Sequence, residues 1–176
     1  YLNSNIRNIM KTEDNKFIDL KDKTVMVLGG GDTAMDCNRT ALRQGAKKVY
    51  CAYRRDESNM PGSKREVKNS KEEGVEFLWN MQPVEILGDG KVSSVKFMKT
   101  KLKKTDVRGR EVPVIVPNSE KIIKCDTVIL AFGFRPNPQA WFKKNQIKTD
   151  EIGRVKINST SKYSHQTNNP KIFSGG

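Results

Sequence analysis

The sequence predicts an α/β fold, a Rossmann-like parallel sheet with an inserted antiparallel β-meander. Three observations lead there. A run of β-branched residues, Thr24 to Leu28, ends in three glycines and is followed by a helical pattern. Strand and helix then alternate as far as Leu78. Beyond that point the pattern changes to hairpin-like segments around Gly88-Asp89-Gly90 before a last apolar run, Thr127 to Leu130.

Each element follows from local signals. Residues 1–20 are polar and mixed, with scattered Ile6, Ile9, Met10, Phe17 and Ile18, and read as a flanking segment that docks on something. Thr24 to Leu28 reads as a buried parallel strand. From Asp32 to Gln44, Ala34, Cys37, Ala41 and Leu42 share one helical face, and Gly45 suits the stop. Lys48 to Tyr53 is a second strand, and Pro61-Gly62 a turn. Ser63 to Glu66 has the spacing of a capping box opening a helix that ends at Gly74. Val75 to Leu78 is a third strand. Val84 to Leu87 and Val92 to Met98 form the hairpin. A polar loop is expected from about Lys103 to Asn118, and Thr127 to Leu130 is expected as a buried strand ending at Ala131-Phe132-Gly133.

Composition narrows the function classes. Mean hydropathy is −0.69, and no apolar run nears the roughly 18 residues of a membrane span. With 33 Lys and Arg against 20 Asp and Glu, the net charge is +13, so a nucleic-acid partner has to be weighed. Lys91 to Arg110 holds eight basic residues and one acid. With no nucleic-acid motif around it, that stretch reads as a solvated, lysine-rich edge strand. The three cysteines, Cys37, Cys51 and Cys125, are widely spaced and read as reduced, inert thiols of a cytoplasmic protein. Trp79 and Trp141 read as packing residues, and the single histidine, His165, has no obvious partner for acid–base work.

The chemical signal is Gly29-Gly30-Gly31-Asp32-Thr33-Ala34, a G-x-G-x-x-A placed between a strand and a helix. Gly29 permits the turn, Gly31 leaves room for a pyrophosphate, and Ala34 lets the helix sit close to the strand. The helix N-terminus offers free N–H groups to phosphate, and Thr33 adds a hydroxyl. An NAD site usually places an acid about 20 residues further on. Here Arg54 follows Gly31 by 23 residues, with Arg55 beside it. An arginine fork suits the 2′-phosphate of NADPH, which a carboxylate repels. Lys64 and Arg65 stand where they can close the same pocket, while Asp56 and Glu57 offer themselves as alternative partners for the arginines. Asp32 is expected to cap the loop and Asp36 to be a polar helix position.

At these residues, VMVLGGGDTAMD from Val25, CAYRRDESNMPGSKREV from Cys51 and AFGFRP from Ala131, the chain resembles the family of the NADPH-dependent glutamate synthase small (β) subunit. The NADPH-binding part of dihydropyrimidine dehydrogenase is related. The resemblance covers residues 20–176 and implies a fold of the glutathione reductase type, in which an NADPH domain is inserted into an FAD domain. It implies that NADPH passes hydride to FAD and that iron–sulfur clusters carry the electrons onward for glutamate synthesis. It places Gly30, Gly31, Asp32 and Thr33 on the pyrophosphate, Arg54 and Arg55 on the 2′-phosphate, and Ala131, Phe132 and Gly133 toward the nicotinamide. Lys64 and Arg65 match a basic pair of the family pattern. The implied partners are an FAD domain of the same polypeptide and a glutamate synthase large subunit, with no nucleic acid or membrane. On this reading the chain is a piece of a longer protein. Residues 1–20 flank toward the FAD domain, 21–148 form the NADPH domain, and 149–176 begin a further FAD-domain segment. The alternative is a stand-alone nucleotide-binding or interaction module that docks an acidic partner through its basic surface.

Overall fold

The computed structural model describes residues 1–11, 17–104 and 111–175, and they fall into two units, Tyr1–Gly133 and Phe134–Gly176. The first unit opens with α1 (Leu2–Ile9), a helix that the mixed pattern of residues 1–20 does not announce. Tertiary bonds hold it, as expected for a helix this short. The buried Asn5 amide donates to the Ile18 carbonyl (2.9 Å) and accepts from the Ile18 N–H (2.8 Å). The Tyr1 hydroxyl donates to Gln44 (2.9 Å).

The strand and helix alternation is as expected: β1 (Thr24–Leu28), α2 (Asp32–Arg43), β2 (Lys48–Tyr53), α3 (Lys64–Glu72) and β3 (Glu76–Trp79). Asn80, in the left-handed conformation at φ 56°, turns the chain into the second sheet. Asparagine tolerates that conformation better than most residues. The second sheet comprises β4 (Met81–Leu87), β5 (Ser94–Lys104) and β6 (Glu111–Lys124), all antiparallel. The chain then returns as β7 (Thr127–Leu130) beside β1. Asp126 fixes that return: its carboxylate accepts from the Thr24 N–H (2.7 Å) and its own N–H donates to the Thr24 carbonyl (2.8 Å). The parallel sheet has the order β3-β2-β1-β7, one half of a doubly wound sheet.

Both faces of the parallel sheet are covered, which is why β1 reads as an unbroken apolar run. Val25 and Val27 pack with Ala34, Met35 and Ala41 of α2 and Val67 of α3. Met26 and Leu28 point the other way, against Met81, Val95, Phe97 and Cys125 of the meander side. Arg39 ties α2 to α3 through Glu66 (2.5 Å) and Glu73 (2.7 Å).

Three expectations are corrected. The polar loop proposed for Lys103 to Asn118 is strand wherever it is described, apart from residues 105–110, which lie outside the described residues. Pro113 and Pro117 disguise it, yet β6 is an edge strand, where proline is tolerated. The lysine-rich stretch is not the edge, because β5 lies between β4 and β6. Only half of the capping box forms: Ser63 accepts from the Glu66 N–H (3.3 Å), but the Glu66 carboxylate goes to Arg39. In addition, β7 carries one buried residue, Ile129, while Leu130 is exposed at the sheet edge.

In the second unit, α4 (Ala140–Lys144) is followed by isolated bridges pairing Thr149 with Val155, Ile157 with Thr167, and Gln166 with Phe173. Thr167 and Ile147 are buried within it. Trp141 is half exposed, with its ring edge-on to Phe142. In the first unit Trp79 stacks on Phe77 at 4.8 Å.

Candidate nucleotide-binding cleft

A cleft of about 590 Å³ opens where β1, β2 and β7 end. Ligands of open α/β sheets bind at that end of the strands. The three loop glycines have different reasons to be glycine. Gly29 has φ +141°, and a Cβ there would lie 2.2 Å from the Ala131 carbonyl oxygen, so it joins β1 to β7. A Cβ on Gly30 would lie 2.6 Å from the Tyr53 ring. Gly31 has φ −90° and ψ 178°, extended backbone open to any residue, and nothing lies within 4 Å of a Cβ there. Packing does not require a glycine at that position, whereas a group lying in the cleft against the backbone does. Among the described residues the N–H groups of Gly31, Asp32 and Thr33 have no hydrogen-bond partner. They are the free donors of a helix N-terminus.

Arg54 and Arg55 stand just past β2, on the same cleft. Among the described residues neither guanidinium has an ion-pair partner, and the Nε of Arg55 is buried with no bond. The two acids that follow them are engaged elsewhere. Asp56 accepts from the Asn59 side chain (2.9 Å) and the Ser58 hydroxyl (2.8 Å), which hold its carboxyl below the usual carboxylate range. Glu57 pairs with Lys71 (2.6 Å). Neither of these neighbouring acids is therefore the partner of the arginines.

Of the other sequence candidates, Thr33, Ala131, Phe132 and Gly133 line the cleft. Ala34 is fully buried behind the loop. Asp32 does not cap its own helix; its carboxylate accepts from the Ser63 N–H (2.8 Å), while the Gly62 N–H donates to the Gly30 carbonyl (2.9 Å). The Pro61–Ser63 turn is thereby clamped onto the glycine loop. Lys64 and Arg65, the first residues of α3, are exposed and are not among the residues lining the cleft. Sequence reasoning missed Tyr53, Asn59, Gln82 and Pro83, which do line it. Tyr53 was findable as the aromatic end of β2, whereas Gln82 reaches the cleft only through the turn at Asn80. The cysteines are buried and inert: burial pushes the Cys51 thiol up to about 12 and Cys125 to about 11, and raises Cys37. No described helix is long and apolar enough to cross a membrane.

An open parallel sheet of this order, with a glycine loop at the head of α2 and an antiparallel insertion, defines a Rossmann-type nucleotide-binding domain. The chain belongs to the pyridine nucleotide-disulphide oxidoreductase family, whose model matches residues 2–176. It is 51% identical over its whole length to the glutamate synthase [NADPH] small chain of Halomonas elongata, and 52% identical to that of Escherichia coli K12. It spans 38% of the length of each of these two relatives. Thioredoxin reductase of T. acidophilum superposes with a TM-score of 0.66 at 22% identity, over 98% of this chain and 47% of that one. FprA of Mycobacterium tuberculosis, solved in complex with NADPH, gives 0.61 at 16% identity, over 81% and 46%. At those identities the likeness establishes the fold.

Proposed function

We propose that this chain is the NADPH-binding module of a flavin-dependent oxidoreductase of the glutamate synthase small-chain type. The observation that carries the reading is the Arg54–Arg55 fork, without an ion-pair partner among the described residues, beside a glycine loop whose Gly31 faces open space. The free N–H groups at the head of α2 and the Thr33 hydroxyl bind the pyrophosphate, with the helix dipole favouring its charge. The arginines hold the 2′-phosphate through paired charge-assisted bonds. Ala131, Phe132 and Gly133 at the end of β7 flank the nicotinamide half. When bound, NADPH supplies a hydride, which this reading assigns to FAD and then to iron–sulfur clusters on the way to glutamate synthesis. The residues of this chain bind and orient, and none is required to move a proton.

The two small-chain relatives support the reading by name and identity. From them we also infer an FAD-binding part of the same polypeptide, a glutamate synthase large subunit as partner, and a cytoplasmic location. Calorimetric titration tests the core of the proposal. NADPH is expected to bind at least about tenfold tighter than NADH, and Arg54→Glu to remove most of that preference. Equal affinities for the two cofactors overturn it.

A further inference from the structure

The arginine pair lies beyond the end of β2, outside the parallel sheet's hydrogen-bond ladder, so something else must fix its backbone. The inserted meander does. The Thr100 hydroxyl donates to the Arg54 carbonyl (2.8 Å). The Asn80 N–H donates to the Arg55 carbonyl (3.0 Å), and the Thr100 N–H donates to the Asn80 carbonyl (2.8 Å). Two consecutive arginine carbonyls are therefore held by Thr100 of the meander and by Asn80 of the turn that leads into it, and these two are themselves bonded together. Local backbone geometry brings both into place. Asn80 is in the left-handed turn at φ 56°, and Thr100 follows a register shift in the β5–β6 pairing, where β6 carries the extra residues. Thr100 is 7% exposed, and strand alternation leaves its neighbours Lys99 and Lys101 exposed.

We infer that Thr100 is a positioning residue for cofactor selection: the antiparallel insertion, through Thr100 and Asn80, sets where the Arg54–Arg55 fork stands and so how strongly a 2′-phosphate is preferred. The inference rests on the reading of the arginines as the 2′-phosphate site. Its logic is geometric, since a bidentate guanidinium contact is lost when the backbone carrying it drifts. Losing the Thr100 hydrogen bond frees the Arg54 carbonyl and the backbone that carries it to move.

The test is titration of NADPH and NADH on the full chain and on Thr100→Val, Thr100→Ser and Arg54→Gln. Valine keeps the shape and removes the hydroxyl. The expected result is an NADPH affinity weakened about tenfold in Thr100→Val, NADH affinity unchanged within about twofold, and recovery in Thr100→Ser. Equal weakening of both cofactors means a general structural role and overturns the inference, as does a serine variant that does not recover. An unchanged NADPH to NADH ratio in Thr100→Val, with the ratio lost in Arg54→Gln, overturns the inference and leaves the 2′-phosphate reading standing. A ratio unchanged in Arg54→Gln as well overturns the reading itself, and the inference with it.

Discussion

The two sheets of the first unit solve the same burial problem differently. Four of the five residues of β1 are buried, because helices cover one face and the meander the other. None of the fourteen residues of β6 is buried. The parallel sheet is a core element that ends in the glycine loop. The meander is a cover that buries one face through Met81, Val95 and Phe97 and leaves the other to water. A substitution should accordingly act on folding in the first sheet and, outside those few positions, leave folding alone in the second.

The largest effect expected from that contrast is at the sheet's own seam. Gly29→Ala forces a Cβ to within 2.2 Å of the Ala131 carbonyl at a φ of +141°. It should cost at least about 4 kcal/mol or prevent folding, measured by denaturant titration. Next comes a matched pair. Met26→Ala, fully buried between the sheets, should cost roughly 2–5 kcal/mol, while Val114→Ala on β6 should stay within about 0.5 kcal/mol. Comparable losses for the two would erase the distinction between core and cover. Gly31→Val then separates folding from binding. Nothing within 4 Å opposes the new side chain, so stability should change by less than about 1 kcal/mol while NADPH affinity falls at least about 100-fold. Retained affinity would place the phosphates elsewhere.

The smallest effect concerns pH. Cys51, central in β2, has its thiol pushed up to about 12 because burial disfavours the thiolate. The unfolded chain releases that proton near about 8.5. Above that pH the unfolded state binds fewer protons than the folded one, so stability falls as pH rises toward 12. Between pH 8 and 9 the loss from this group should stay below about 1 kcal/mol. Urea titrations at the two pH values should show a shallower decline for Cys51→Ala than for the unsubstituted protein. Parallel declines would mean that Cys51 does not contribute.

What the sequence made legible follows the same division. β1, β2, α2 and α3 were readable because two-sided burial writes continuous apolar runs and helical stripes. The glycine loop and the arginines were readable because their chemistry is local. β6 was not: Glu111, Pro113, Pro117 and Asn118 look like loop residues, and the strand pairing of Glu111 and Pro113 comes from Lys104 and Leu102 of β5. α1 escaped because its decisive bond, Asn5 to Ile18, joins residues whose proximity no periodicity reports. Gln82 and Pro83 were invisible as cleft residues for a similar reason, since only the fold brings them to the ends of the parallel strands.

Tyr53 and Gly30 carry a consequence for how this chain tolerates sequence drift. The ring occupies the volume that any side chain at position 30 would need, and its hydroxyl donates to the Asn59 carbonyl (3.0 Å) across the arginine turn. The two positions are therefore genetically coupled. A larger residue at 30 is compatible with the fold only after the ring at 53 has shrunk, and a chain that has lost the ring has also released the turn. Taken singly, the change at 30 is blocked and the change at 53 is costly, so any exchange of this pair has to begin with loss of the ring.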